Sequence, residues 1–248
     1  MGRQYNKPPL IEAVCEFRFE PGEPWDLAIP GLLYERLRET FPKRRQARAL
    51  ETTMLAGPDA IQQQMTQVDR LQMLREDETA LVQVSPHLLS VNHLKPYPSW
   101  AGFISLIREA LEVYRTTAKP KGLQRIGLRY INRIEMPGKR LDLEYYFDFY
   151  PFVGTRLPED FGNFLVAIHL LFQERRDILR LQLSDTPADQ PDVSAFTLDL
   201  DYFLAQTDKV NFESVLGWLE EAHDTVEETF EGCIKDTLRE RFEEVNVS

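Results

Sequence analysis

The chain reads as an α+β fold built from two similar halves. Each half is an antiparallel sheet with helices packed on one face, and a long C-terminal helix closes the whole. Three observations predict this. Short segments of alternating apolar and polar residues dominate both halves. Three stretches repeat apolar residues at helical spacing. The order strand, helix, strands, helix over the first 120 or so positions is followed by a second pass through a similar order. The halves divide at 1–121 and 122–248 within one compact unit. A helix-grip barrel around the final helix is the alternative architecture.

The first element is NKPPLIEAVCEFRF, Asn6 to Phe19. A two-residue period places Ile11, Ala13, Cys15, Phe17 and Phe19 on one face of a strand, with Glu12, Val14, Glu16 and Arg18 on the other. The apolar set is core, and the Pro8–Pro9 pair sets where the strand begins. EPGEPWDLAIPG supplies turn residues, and Leu32, Leu33, Leu37 and Phe41 then mark a short amphipathic helix stopped by Pro42. From Ala49 to Lys95 short alternating segments predict an antiparallel meander, with RLQMLRED, ETALVQVSP and HLLSVNHLKP as its strands. Ser99 then caps a helix whose stripe is Phe103, Ile104, Ile107, Leu111 and Tyr114, ending before Pro120.

The second pass opens on GLQRIGLRYINRIEMP, a long alternating strand. Ile126, Leu128, Tyr130 and Ile134 form its apolar face, and Arg125, Gly127, Arg129, Ile131 and Arg133 the other. An aromatic-rich LDLEYYFDFYP follows, then the strands NFLVAIHLLF, DILRLQLSD and AFTLDLDYFL. The final helix begins at Asn211 and carries Phe212, Val215, Leu219, Ala222, Val226, Phe230, Ile234 and Leu238 on one stripe to about Glu244. Such a helix would run about 45 to 50 Å.

Composition narrows the function. With 248 residues, 43% hydrophobic and 28% charged, the chain can bury a substantial core. The longest apolar run, Phe164 to Phe172, is interrupted by His169 and is far shorter than the roughly 20 residues of a membrane helix. A location in the cytoplasm, with no membrane contact, is the expectation. Cys15 and Cys233 lack metal-ligand spacing and read as buried free thiols. A net charge of -11 would repel a phosphate backbone. The basic clusters Lys43-Arg44-Arg45 with Arg48, and Arg175-Arg176, read as solvated residues at a helix end or a turn.

Three constellations are candidate sites. Glu12 and Glu16 on the opening strand face Arg125, Arg129 and Arg133 on the long one if the two strands pair. They would then form a charge ladder fixing register, or a polar floor gripping a ligand, a partner segment or nucleic acid. Asp199 and Asp201 share the polar face of one strand, as a hydrated face or as the carboxylates of a metal-dependent hydrolase. The final helix is acidic away from its stripe, and Trp218, Glu220, Glu221, Glu227 and Glu228 are the candidates to face a basic partner. His169 and His223 read as satisfied core or interface residues. No HxxxH, HExxH, GxSxG, GxGxxG or GxxxxGK occurs, so an enzyme is disfavoured without being ruled out by the sequence, and no cofactor is expected.

Four segments carry a resemblance: PPLIEAVCEFRF, IGLRYINRI, LDLDYF and WLEEAHDTVEETFEGCIKDTLRERF. In this order they resemble a sporadically distributed, uncharacterised bacterial protein family. The resemblance implies no catalytic residues. Its patchy occurrence implies a defence-associated or mobile locus, in which the chain is an accessory or antitoxin-like regulatory partner engaged in a protein–protein interaction with another product of that locus.

Overall fold

The computed structural model describes residues 3–56, 61–158 and 162–245, with side chains described except at 49–56 and 61–67. The fold is α+β, with nine antiparallel strands and four α-helices among the described residues. In chain order these are β1 (Leu10–Glu20), α1 (Ile29–Leu37), β2 (Lys43–Ala56), β3 (Ile61–Leu74), β4 (Ala80–Ser85), β5 (Leu88–Leu94) and α2 (Trp100–Ala118). There follow β6 (Gly122–Pro137), β7 (Leu165–Phe172), β8 (Asp177–Thr186), β9 (Val193–Leu204), α3 (Val215–Cys233) and α4 (Asp236–Arg241).

The chain divides into two compact units. One comprises Cys15–Leu94 and Pro98–Gln124, the other Met1–Val14, Lys95–Tyr97 and Arg125–Ser248. They are called the N-terminal and C-terminal units below. Strands β1 and β6 each contribute to both.

In the N-terminal unit the strand order is β2-β3-β4-β5-β1. The opening strand alternates as its sequence requires, with Cys15, Phe17 and Phe19 fully buried and Glu16 and Arg18 half-buried. Phe19 stacks on Tyr114 of α2 at 4.5 Å. Burying each such aromatic side chain is worth about 1.5 to 3 kcal/mol. Helix α1 buries Ile29, Leu33 and Leu37, a stripe at successive fourth positions, whereas Leu32, expected on it, is 54% exposed. Helix α2 is capped by Ser99, whose hydroxyl accepts from Gly102 N at 3.2 Å, and ends at Lys119 in the left-handed region. The loop after β1 passes this end closely. A Cβ on Gly22 would lie 2.1 Å from Lys119 O.

The basic run expected at a helix end or turn lies instead in strand β2. Arg44 sits over the Tyr34 ring at 4.7 Å, and Arg45 Nε donates to Gln72 Oε1 at 2.6 Å on β3. Their partners come from helix α1 and strand β3, which local sequence does not reveal.

In the C-terminal unit the order is β1-β6-β9-β8-β7. Pro9 O accepts from Arg133 N at 2.9 Å, so the proline pair delivers the chain into pairing with β6. On β6, Ile126, Leu128, Tyr130 and Ile134 are buried as expected, together with Asn132. Strand β7 pairs with β8 and terminates the order, so the unit's strands do not close into a barrel.

The single long terminal helix does not form. Helix α3 ends at Cys233 because Ile234 is extended (φ -115, ψ 150) and bridges Phe147. Cys233 O accepts from Asp148 N, and Lys235 N donates to Tyr146 O, both at 2.9 Å. These pairings satisfy backbone groups outside the helix, and the chain resumes as α4 two residues later. The stripe survives the break, since Ile234 and Leu238 are both buried. No helix among the described residues is long and apolar enough to cross a membrane.

Candidate functional site

The charged face of β6 and β9 is the densest polar array of the C-terminal unit. Arg129 donates from Nε and Nη2 to the two oxygens of Asp199 at 2.7 and 2.6 Å. Asp199 is only 3% exposed. The Asp199 hydrogen bonds outweigh burial and raise the Arg129 pKa, with Asp201 and Glu12 adding to the effect. Arg125 lies 3.7 Å from Asp201 and 4.9 Å from the centre of the Phe203 ring. Arg180 of β8 reaches both carboxylates, at 3.6 Å from Asp199 and 4.0 Å from Asp201. Burial raises the pKa of Asp201 despite these three arginines. Arg133 pairs with Glu135 at 2.8 Å and donates to Pro187 O at 2.9 Å.

Two expectations are refined here. Asp199 and Asp201 are not a hydrated strand face: Asp199 is buried beneath guanidinium groups, because β9 is flanked by two arginine-bearing strands. The bidentate partner of Arg129 is Asp199, with Glu12 a further negative charge near it. Glu16 accepts from Arg18 at 3.0 Å within the N-terminal unit. Arg125, Arg129 and Arg133 each have a carboxylate within ion-pair distance. Guanidinium groups already neutralised this way have little charge left for a phosphate backbone. No group of three or more His, Cys, Asp or Glu among the described residues could hold a metal ion.

Helix α3 sorts its own candidates by face. Trp218, expected toward a partner, is 3% exposed and donates from Nε1 to Asp177 at 2.9 Å, so it is a core anchor. Three residues after Val215 and four before Ala222, it shares the buried side of the helix with them, although it was not counted on the expected stripe. Glu227 lies 3.4 Å from His223, and burial together with Asp224 and Glu231 raises its pKa. His223 also contacts Tyr130 OH at 2.9 Å, and burial depresses its pKa. Glu220, Glu221 and Glu228 are exposed. Glu221 pairs with Arg176 at 2.9 Å, just beyond the end of β7.

Strand β7 is a candidate surface that sequence reasoning missed. Leu165, Ile168 and Leu171 are 64%, 42% and 53% exposed. His169, expected in a core or interface, is exposed beside them. The strand carries no charge, proline or glycine, although such residues usually protect an edge. The signal was present in NFLVAIHLLF as the first strand of a three-strand meander, but apolarity at both parities also describes a fully buried strand. Near its start, a groove of about 1080 Å³ is lined by Leu141, Tyr150, Phe152, Phe164 and Phe196, with Phe152 82% exposed.

Comparison with family models and with curated proteins gives no match to this chain.

Proposed function

We propose that the chain is a non-enzymatic protein–protein interaction or regulatory module, an accessory or antitoxin-like partner in a mobile or defence-type bacterial locus. The observation that carries this reading is β7, an edge strand whose large apolar side chains stand exposed with no charge among them. An uncovered apolar edge in a strongly acidic chain supports burial against another protein. The resemblance of the four segments to a sporadically distributed bacterial family supports the kind of locus. The two units also support the reading of two similar halves, since each places the last strand of its meander beside its leading strand.

Co-expression with each product of the neighbouring genes tests the proposal. A stable complex, recovered by affinity purification and surviving size-exclusion chromatography, is the expected result. Failure of every neighbour to co-purify would remove the reading.

A further inference from the structure

The two units wind their strands alike, and that likeness points to a specific occupant for β7. In the N-terminal unit the meander β2-β3-β4-β5 ends beside β1, and α2 packs on β5. In the C-terminal unit the meander β7-β8-β9 ends beside β6, and α3 packs on β9. Strand β7 therefore corresponds to β3, and α3 to α2.

The correspondence fails at one element. Helix α1 lies between β1 and β2 in sequence and packs beside α2 and against β3. Beneath it Met73 of β3, opposite Val82, is completely buried. Between β6 and β7 the described residues contain no α-helix, only a 3-10 turn at Leu143–Tyr145. Ile168 of β7, opposite the buried Leu181, is 42% exposed.

The two faces of the strand differ: Leu165 and Leu171 lie on the face away from α3, whereas Ile168 and the half-buried Leu170 lie on the α3 side. Ile168 and Leu170 stand opposite Leu181 and Leu179, both buried. The Phe172 ring is 5.7 Å from Tyr202, which is 5.5 Å from Trp218 of α3. The flank of α3 toward this strand is acidic. Glu221 reaches Arg176 just beyond the end of β7, and Thr225, one turn later, donates to Glu221 O at 2.8 Å and lies near Tyr202. Glu228, seven residues after Glu221, falls on the same flank. It is exposed, with no ion pair among the described residues. An apolar floor thus meets an acidic wall.

We infer that this trough takes a helix of the partner protein, bearing apolar residues at successive fourth positions and Lys or Arg along the flank that meets α3. This rests on the interaction reading above and names the chemistry of its partner. The apolar spacing follows α1, which buries Ile29, Leu33 and Leu37 in the corresponding place. The basic flank follows from Glu228, which unlike Glu221 has no ion pair among the described residues, and the chain's net charge of -11 speeds encounter with a basic partner. A short helix of this kind is largely unfolded alone and pays for its ordering on docking, so micromolar affinity is expected.

The probe is a fluorescein-labelled peptide of about 15 residues, Ala-based, with Leu at three successive fourth positions and Lys along one adjoining flank. Fluorescence anisotropy at low salt should show saturable binding, at least about tenfold weaker for Ile168→Asp and for Glu228→Lys. Glu220→Lys, on the other flank of α3, should leave it unchanged, and a peptide with Glu for Lys should not bind. Circular dichroism confirms that each variant is folded. No binding, or binding indifferent to Ile168→Asp, overturns the inference. So does a dimer in light scattering that Ile168→Asp dissolves, since a second copy then covers the strand. A neighbouring gene product that still co-purifies with both variants would sink the trough as its site while leaving the interaction reading standing. Peptide binding as expected with no co-purifying neighbour would do the reverse.

Discussion

Asp177 is fully buried, and its carboxylate is satisfied entirely by side chains. Arg176 donates to it from Nε at 2.9 Å and Nη2 at 2.6 Å, Tyr202 OH at 2.9 Å and Trp218 Nε1 at 2.9 Å. One carboxylate thereby ties the start of β8 to β9 and to α3. Asp177→Ala would leave buried donors unpaired and should cost about 3 to 5 kcal/mol in urea denaturation. Asp177→Asn keeps an acceptor for Trp218 and should cost less. RRDILRLQL shows only the adjacent Arg176; the other two partners, Tyr202 and Trp218, come from 25 and 41 residues away, so the local sequence does not mark this aspartate as buried. The two cysteines were legible. Both are buried and form no disulfide, and burial pushes the Cys233 thiol up to about 12 and raises that of Cys15 as well. Thiolate is the reactive form. Ellman's reagent should therefore titrate neither thiol in the native protein and both in denaturant; a fast native reaction would contradict this packing.

Strands and helices were legible where a single period governed them. Strand β1 from Ala13 to Phe19 and strand β6 from Leu128 to Met136 follow their two-residue alternation, and helix α2 its helical stripe, because each buries one face over that length. The terminal helix was overread because its stripe continues unbroken through Ile234, while the pairing that unwinds it comes from Tyr146 to Asp148. The loop before α1 has a comparable hidden constraint at Gly22. Gly22→Ala would push a methyl group against the Lys119 carbonyl and should destabilise by about 1 to 3 kcal/mol. A thermal melt unchanged from wild type would show that this loop yields freely. On β7 the expectation is opposite. Leu171→Lys replaces a side chain that is 53% exposed and should change stability by less than about 0.5 kcal/mol while lowering any tendency to aggregate.

The molecule's response to pH follows from two buried histidines, one in each unit. Burial depresses the pKa values of His93 and His223 below the ordinary 6.5. The unfolded chain therefore takes up protons first. Stability is full above the unfolded value and is lost as pH falls through it toward the folded values. Between those limits the two groups together should contribute a slope of up to about 2.7 kcal/mol per pH unit. Glu227 and Asp201, whose pKa values are raised, act in the other direction, chiefly at lower pH. Urea midpoints should thus fall between pH 7.5 and 5.5, and a flat profile would contradict the burial of both imidazoles. The amino-acid order determined the fold class, the element types and which side of most strands faces the core, because those depend on periods within a few residues. Tertiary structure alone decided that Arg129 closes on Asp199 from 70 residues away, that Trp218 turns inward, and that β7 stands exposed. Burial and pairing belong to neighbours that only folding supplies, and the same eight-residue strand would be core or surface according to whether a helix lies over it.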